Sequence, residues 1–325
     1  MSAAVERDGS ALPDGPGVAR YAATLVSLPS APPVPRDAPV LAVAVEPARL
    51  SAALVDGDGT VVVRDRVAMP AREVWRSLER LVRRVTAAAP GSMPPVAMVG
   101  ASCVGPVDEQ AGTVWPPYVP TWSAFSLRDH LEELVETPTL VASAGAAAAE
   151  AERLHGEAAD VPSYLAVVAD AVVDSACVID GVRLSGAHGD AGSIAHVTVD
   201  PGGLACWCGS VGCLEPYLSR IALEAELNRP LRRANPSTVE RAGIMLGRAL
   251  ATACATLDVP TVFVTGGVLD ALGDGLLQTA RRELGERARL PNLADLAIVE
   301  PVEHITPLVR AASLARGRGP VATLG

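Results

Sequence analysis

At 325 residues, 49% of them apolar, the chain is long enough for two domains, each with its own core. No continuous apolar run reaches the ~18 residues of a membrane span, and no basic segment followed by an apolar one marks a secretory leader, so a cytoplasmic, membrane-free protein is expected. A net charge of −10, only 3% aromatic residues and a complete lack of lysine exclude a phosphate-tracking nucleic-acid surface, a base-stacking platform, Schiff-base chemistry and a Walker-type lysine.

Residues 1–39 are dominated by Pro, Gly, Ser and Asp and read as a largely disordered leader; only Val18–Leu28 has the pattern of a short helix. Val40–Val45, Leu50–Val55 and Gly59–Arg64 read as a β-meander, with Asp56-Gly57-Asp58-Gly59 turning the second strand into the third. Val74, Leu78, Leu81, Val82 and Val85 repeat at helical spacing within Ala71–Ala89. A buried strand at Val96–Ala101 leads to Gly105-Pro106-Val107-Asp108, and Leu127–Val135 is a further helix. A second domain begins near Thr139–Ala142, with an alanine-rich helix running through Glu152 and strands at Tyr164–Val173 and Ala176–Ile179. Helices are expected at Arg220–Asn228, Val239–Leu257 and Pro307–Arg316, and Val262–Thr265 is a strand entering the Gly266-Gly267 turn. Strands alternating with helices point to an α/β fold in two similar halves.

Chemistry concentrates in Cys206-Trp207-Cys208-Gly209-Ser210-Val211-Gly212-Cys213-Leu214-Glu215, with His196 upstream. Three thiols and one imidazole are the donor set of a closed tetrahedral zinc site, and Gly209 and Gly212 let the backbone fold back around one ion. A disulfide is the weaker reading, since a cluster of three leaves one thiol over. His130, His155, His188 and His304 stand alone in the sequence and are expected at the surface or in satisfied core positions.

The Cys-x-Cys-Gly-x-x-Gly-Cys-x-Glu run, preceded by Gly192 and His196, resembles the zinc loop of the ROK family, which holds bacterial sugar kinases and sugar-responsive repressors. The resemblance implies a two-domain, actin-like ATPase (ribonuclease H-like) fold with sugar and ATP in the cleft between domains. It implies an N-terminal domain at 40–138, completed by the helix 307–316, and a C-terminal domain at 139–304 carrying the loop 196–215. His196, Cys206, Cys208 and Cys213 would hold structural zinc, Glu215 and His196 would lie at the ligand (Glu215 reads equally as a helix N-terminal carboxylate that steadies the zinc loop), and Gly266-Gly267 would face the nucleotide. A homodimer is expected by the same likeness. The leader is too short and too rich in helix breakers for the family's DNA-binding module.

Against the family pattern, three elements differ. Ala44 and Glu46-Pro47-Ala48 stand where an Asp and a Gly-Gly-Thr phosphate loop are expected; proline offers no amide hydrogen. Ser143-Ala144 replaces the Asn-Asp pair whose aspartate is the general base, so no catalytic residue is expected at that position. Val172, Asp174 and Ala176 replace the glycines of the second phosphate loop. On the sugar side Ser193-Ile194-Ala195-His196 lacks the family's glutamate, and Tyr118 takes the place of an asparagine before Trp122. Glu150 and Glu152 lie further along the helix, with a solvated or packing role expected for Glu152. These departures lead to the expectation of a zinc-binding module that senses a sugar or other small ligand, or binds a partner, without phosphorylating sugar or binding ATP. The alternatives are an ATP-dependent sugar kinase of the glucokinase or N-acetylhexosamine kinase type with displaced catalytic groups, and a transcriptional regulator without its own DNA-binding domain.

Overall fold

The computed structural model describes residues 34–35, 38–302, 305–317 and 321–322. The leader reading for residues 1–39 falls largely outside them, and so does His304.

The chain enters an antiparallel meander of β1 (Val40–Glu46), β2 (Arg49–Val55) and β3 (Val61–Ala68). β1 and β2 are buried along almost their whole length, as unbroken Val, Leu and Ala runs require when both faces of a sheet are covered; β3 alternates because it is the edge. The turn between β2 and β3 is tied by Thr60, whose amide donates to Asp56 Oδ1 (3.0 Å) and Asp58 Oδ1 (2.8 Å). Helix α1 (Val74–Ala87) buries the five apolar residues read from its periodicity. β4 (Met98–Cys103) then joins β1 in parallel. A small sheet of β5 (Val107–Asp108), β6 (Thr113–Val114) and β7 (Phe125–Ser126) and helix α2 (Leu127–Val135) precede β8 (Thr139–Ser143), which closes the order β3-β2-β1-β4-β8.

The second half repeats this plan. After α3 (Ala144–His155), strands β9 (Tyr164–Ala169), β10 (Val173–Ile179) and β11 (Val182–Leu184) form another antiparallel meander. Helices α4 (Glu215–Leu218), α5 (Arg220–Leu227) and α6 (Pro236–Leu257) lead to β12 (Thr261–Thr265), parallel to β9. Helices α7 (Gly267–Leu272) and α8 (Asp274–Arg287) lead to β13 (Ala297–Val299), parallel to β12. The last elements are α9 (Pro307–Arg316) and β14 (Val321–Ala322), the latter beside β11. Helix α9 returns to the first sheet, where Ala311, Ala312 and Ala315 pack against Val40, Ala42 and Met98. Gly100 allows this approach: a Cβ there would lie 2.0 Å from the Ala311 carbonyl oxygen.

Several boundaries differ from the sequence expectation, among them β3, which runs on to Ala68, and β4, which is shifted to Met98–Cys103; three others have a clear local cause. β9 stops at Ala169 because Asp170 to Val172 form a turn, closed by the Asp170 amide donating to the Val172 carbonyl (3.1 Å). β10 starts at Val173, not Ala176, because its polar residues are satisfied inside: the Ser175 hydroxyl donates to the Gly192 carbonyl (2.7 Å) and accepts from the Ile194 amide (2.8 Å). α6 starts at Pro236 because Asn235 caps it, accepting from the Thr238 amide (2.9 Å), with proline in the first turn where its missing N–H costs nothing. Among the described residues no helix is long and apolar enough to cross a membrane.

Candidate functional site

The cysteine loop is shaped by backbone bonds before any metal is considered. Val199 N donates to Gly212 O (2.8 Å), Cys206 N to Ser210 O (2.8 Å) and Gly209 N to Cys206 O (3.0 Å). Gly212 sits at φ 79°, and a Cβ there would fall 1.7 Å from the Asp200 carbonyl oxygen. This folding gathers one ligand atom each from His196, Cys206, Cys208 and Cys213 within 4.8 Å of one another. Cys206 Sγ lies 3.5 Å from His196 Nδ1, and Cys208 Sγ lies 3.8 Å from Cys213 Sγ. A tetrahedron with metal–sulfur bonds of ~2.3 Å and metal–nitrogen bonds of ~2.0 Å has edges of about 3.8 Å and 3.5 Å. The donor set therefore fits a bound metal ion in both chemistry and spacing. Trp207 covers the imidazole edge-on, its ring 5.0 Å from that of His196.

A second site lies where the carboxyl ends of β1, β4 and β9 meet the starts of α3 and α9, the place where an α/β architecture leaves a crevice. Glu46 and Pro47 line it from β1, with the Glu46 carboxylate 3.1 Å from the Arg49 guanidinium and burial raising its pKa. Ala44 is fully buried within β1, and Val172 lines the cleft from the turn after β9. Ser143 caps α3, its hydroxyl accepting from the Ala146 amide (3.2 Å), and Ala144 is the first helical residue.

Beside Ala144 lies the carboxylate of Asp174. Its Oδ2 accepts from the Gly145 amide (2.9 Å) and its Oδ1 from its neighbour Ser175's amide (2.8 Å). Glycine at 145 permits this contact, since a Cβ there would meet the Ser175 backbone at 2.5 Å. Burial pushes the Asp174 carboxyl up to about 7, against the amide of Gly145, which lowers it.

Glu215 is 2% exposed; its Oε2 accepts from the Val173 amide (2.7 Å), its Oε1 is buried with no hydrogen-bond partner among the described residues, and burial raises its carboxyl to about 7. Tyr118 lies close enough to Glu215 to feel its charge, and burial is the larger cause raising its phenol to about 12. Gly266 holds φ 120°, where a Cβ would meet the Ala169 carbonyl oxygen at 2.2 Å, so the turn into α7 closes tightly on the end of β9. Gly267 opens that helix next to Asp170.

Several residues carry roles that sequence reasoning did not assign. Arg310 projects from α9 into the cleft, 7% exposed, its guanidinium donating to Thr265 Oγ1 (3.0 Å). Burial lowers its pKa, while Asp170, Glu152 and Glu46 raise it. The available signal was an arginine set directly before Ala311-Ala312 in a helix whose neighbours are buried. Glu109 and Arg183 form an ion pair (2.8 Å) between the small sheet and β11, with side-chain exposures of 0% and 3%. Glu150 pairs with Arg153 (2.9 Å), and Glu152 is 2% exposed, so neither is a solvated helix carboxylate. Of the histidines, His188 Nδ1 lies 3.4 Å from Asp108 Oδ2, His130 Nδ1 binds the Ser126 carbonyl (2.8 Å), and His155 packs on Gly59.

Comparison with known proteins bears on these observations. Residues 41–317 match the ROK family. An N-acetylmannosamine kinase of Citrobacter koseri is 28% identical over 303 residues, covering 85% of this chain and 98% of that protein. A ROK family glucokinase from Streptomyces griseus, solved with glucose and AMPPNP, superposes with a TM-score of 0.73 at 23% identity, covering 86% of this chain and 99% of that one. A ROK family transcriptional regulator homologous to the E. coli MLC protein gives a TM-score of 0.75 at 20% identity, covering 86% and 77%. These solved neighbours establish the α/β actin-like fold. The kinase likeness, over 85% of this chain and 98% of those proteins, overturns the expectation of a module that does not phosphorylate sugar. That expectation rested on the joint departures at Ala44–Ala48, Ser143–Ala144 and Val172–Ala176, with Asp174 counted as an unfavourable charge; in the fold the Asp174 carboxylate sits at the start of α3. By the match across both halves, the chain belongs to the ROK family.

Proposed function

We propose that this protein is an ATP-dependent sugar kinase that transfers the terminal phosphoryl group to a hydroxyl of a hexose or N-acetylhexosamine. The observation that carries the reading is the extent of its likeness to N-acetylmannosamine kinases, which spans 98% of their length and so includes both lobes that enclose two substrates. Phosphoryl transfer asks the protein mainly for positioning and charge stabilisation. On the sugar side, Glu215 offers a buried acceptor oxygen with no protein partner, and a sugar hydroxyl is the kind of donor that would satisfy it. On the phosphate side, Arg310 brings a cation into a chain that has no lysine, and the Gly266-Gly267 turn brings backbone close to the cleft.

The metal is proposed to be zinc in a structural role, since His196, Cys206, Cys208 and Cys213 fill all four positions and leave none for substrate. Its chemistry is to hold the loop that ends at Glu215. A homodimer is proposed on family likeness. The test is ADP release by the purified chain with ATP and Mg²⁺, across glucose, N-acetylmannosamine and N-acetylglucosamine. Sugar-dependent release supports the reading; release no greater than in sugar-free controls for the whole panel refutes it.

A further inference from the structure

Resting on the kinase reading, we infer that Asp174 is a relocated general base, taking the proton of the attacking sugar hydroxyl from a strand position instead of the helix start. Ala144, the first residue of α3, presents only a methyl group to the cleft, and Asp174 lines the same cleft from β10. Its carboxylate reaches the start of α3, as the 2.9 Å bond from the Gly145 amide fixes.

A purely structural role accounts poorly for the residue. Ser143 already caps α3, so the helix has its side-chain cap without Asp174. Asp174 is 6% exposed and forms no ion pair among the described residues; Asp190 and Glu215 are close enough to act on it electrostatically, and both are acidic. Burying an unpaired carboxylate near like charges is costly, and a neutral acceptor could satisfy the same amide at lower cost. Each oxygen accepts one backbone bond and the Ser143 hydroxyl also bonds to the carboxylate, which still leaves lone-pair capacity for a substrate hydroxyl. The α3 amino terminus favours the ionised form, while burial keeps the group basic enough to accept a proton near neutral pH.

The step balances without a further reagent. The sugar oxygen forms its bond to the γ-phosphorus, the bond from that phosphorus to the ADP oxygen breaks, and the hydroxyl proton passes to the Asp174 carboxylate and then to water.

The test compares kcat and sugar KM for the wild type, Asp174→Asn and the double variant Asp174→Asn/Ala144→Asp. Asp174→Asn is expected to lower kcat by about 10²- to 10⁴-fold, with KM changed far less. Returning a carboxylate at position 144 is expected to recover at least tenfold of that loss, which a merely structural role for Asp174 would not produce. An active wild type whose Asp174→Asn variant keeps kcat within threefold overturns the inference alone. A folded double variant that binds sugar and recovers nothing also overturns it. An inactive wild type refutes instead the kinase reading on which the inference rests.

Discussion

Replacing Glu109 with glutamine removes one charge from a contact that joins two separate parts of the molecule. Its carboxylate lies 2.8 Å from the Arg183 guanidinium, and the two side chains are 0% and 3% exposed. At that separation the attraction is about 6 kcal/mol for an effective dielectric of 20, but desolvating both groups consumes most of it. Satisfaction is also incomplete: Glu109 Oε1 and Arg183 Nη1 are buried without hydrogen-bond partners. Burial alone would lower the Arg183 pKa, yet Glu109 outweighs it and holds the guanidinium above its ordinary value. The intact pair therefore adds little net stability, while Glu109→Gln leaves the buried cation with one longer ion pair, to Glu150 at 3.8 Å. Losing the close partner of such a charge costs up to about 3–5 kcal/mol. At ~2–4 °C per kcal/mol, the midpoint should fall by about 6–20 °C in a thermal melt. The double variant Glu109→Leu/Arg183→Met should recover most of that loss. A single variant melting within about 2 °C of the wild type would refute the reasoning.

Other perturbations probe the remaining elements. Cys213→Ser should abolish stoichiometric zinc, measured by elemental analysis, and lower the melting midpoint, because the loop's binding free energy is also folding free energy; unchanged zinc content would contradict the four-ligand assignment. Gly145→Ala should place a methyl 2.5 Å from the Ser175 backbone, forcing α3 off β10 at a cost of about 1–3 kcal/mol, seen as a lower melting midpoint. For pH, Asp174 stands at about 7 in the fold against an ordinary value of 3.8. A raised carboxyl contributes stability in full below about pH 4 and loses it as pH rises through about 7, a change on the order of 4 kcal/mol. Glu215, also raised to about 7, acts in the same direction. Melting midpoints should therefore decline from pH 5 to pH 8, and less steeply in Asp174→Asn; parallel profiles would contradict the burial argument.

The sheets were legible in the sequence because the buried strands are unbroken apolar runs: Val40–Val45 became β1 almost unchanged, and the five apolar positions of α1 were read correctly. β10 was misread at its start because Asp174 and Ser175 look like loop residues, and only the Gly145 amide and Gly192 carbonyl, far away in sequence, explain their burial. The absence of a carboxylate at Ala144 is visible in one dimension; that Asp174 lies beside it depends on how closely β10 passes α3, which Gly145 allows and no periodicity encodes. Arg310 was hidden for a similar reason, since its place in the cleft follows from α9 returning to the first sheet. The clustering of the candidate metal ligands was the opposite case, because Cys206, Cys208 and Cys213 are brought together by a turn within one short stretch and need only His196 from outside it.

The account stands or falls on phosphoryl transfer. Incubating the purified chain with ATP labelled in its γ-phosphate, Mg²⁺ and glucose or N-acetylmannosamine, and following the label by mass spectrometry, tests it most directly. Label recovered as a sugar phosphate, at a rate that collapses in Asp174→Asn, is the predicted result. Label that remains in ATP, or appears only as free phosphate with every hexose and N-acetylhexosamine supplied, would contradict it.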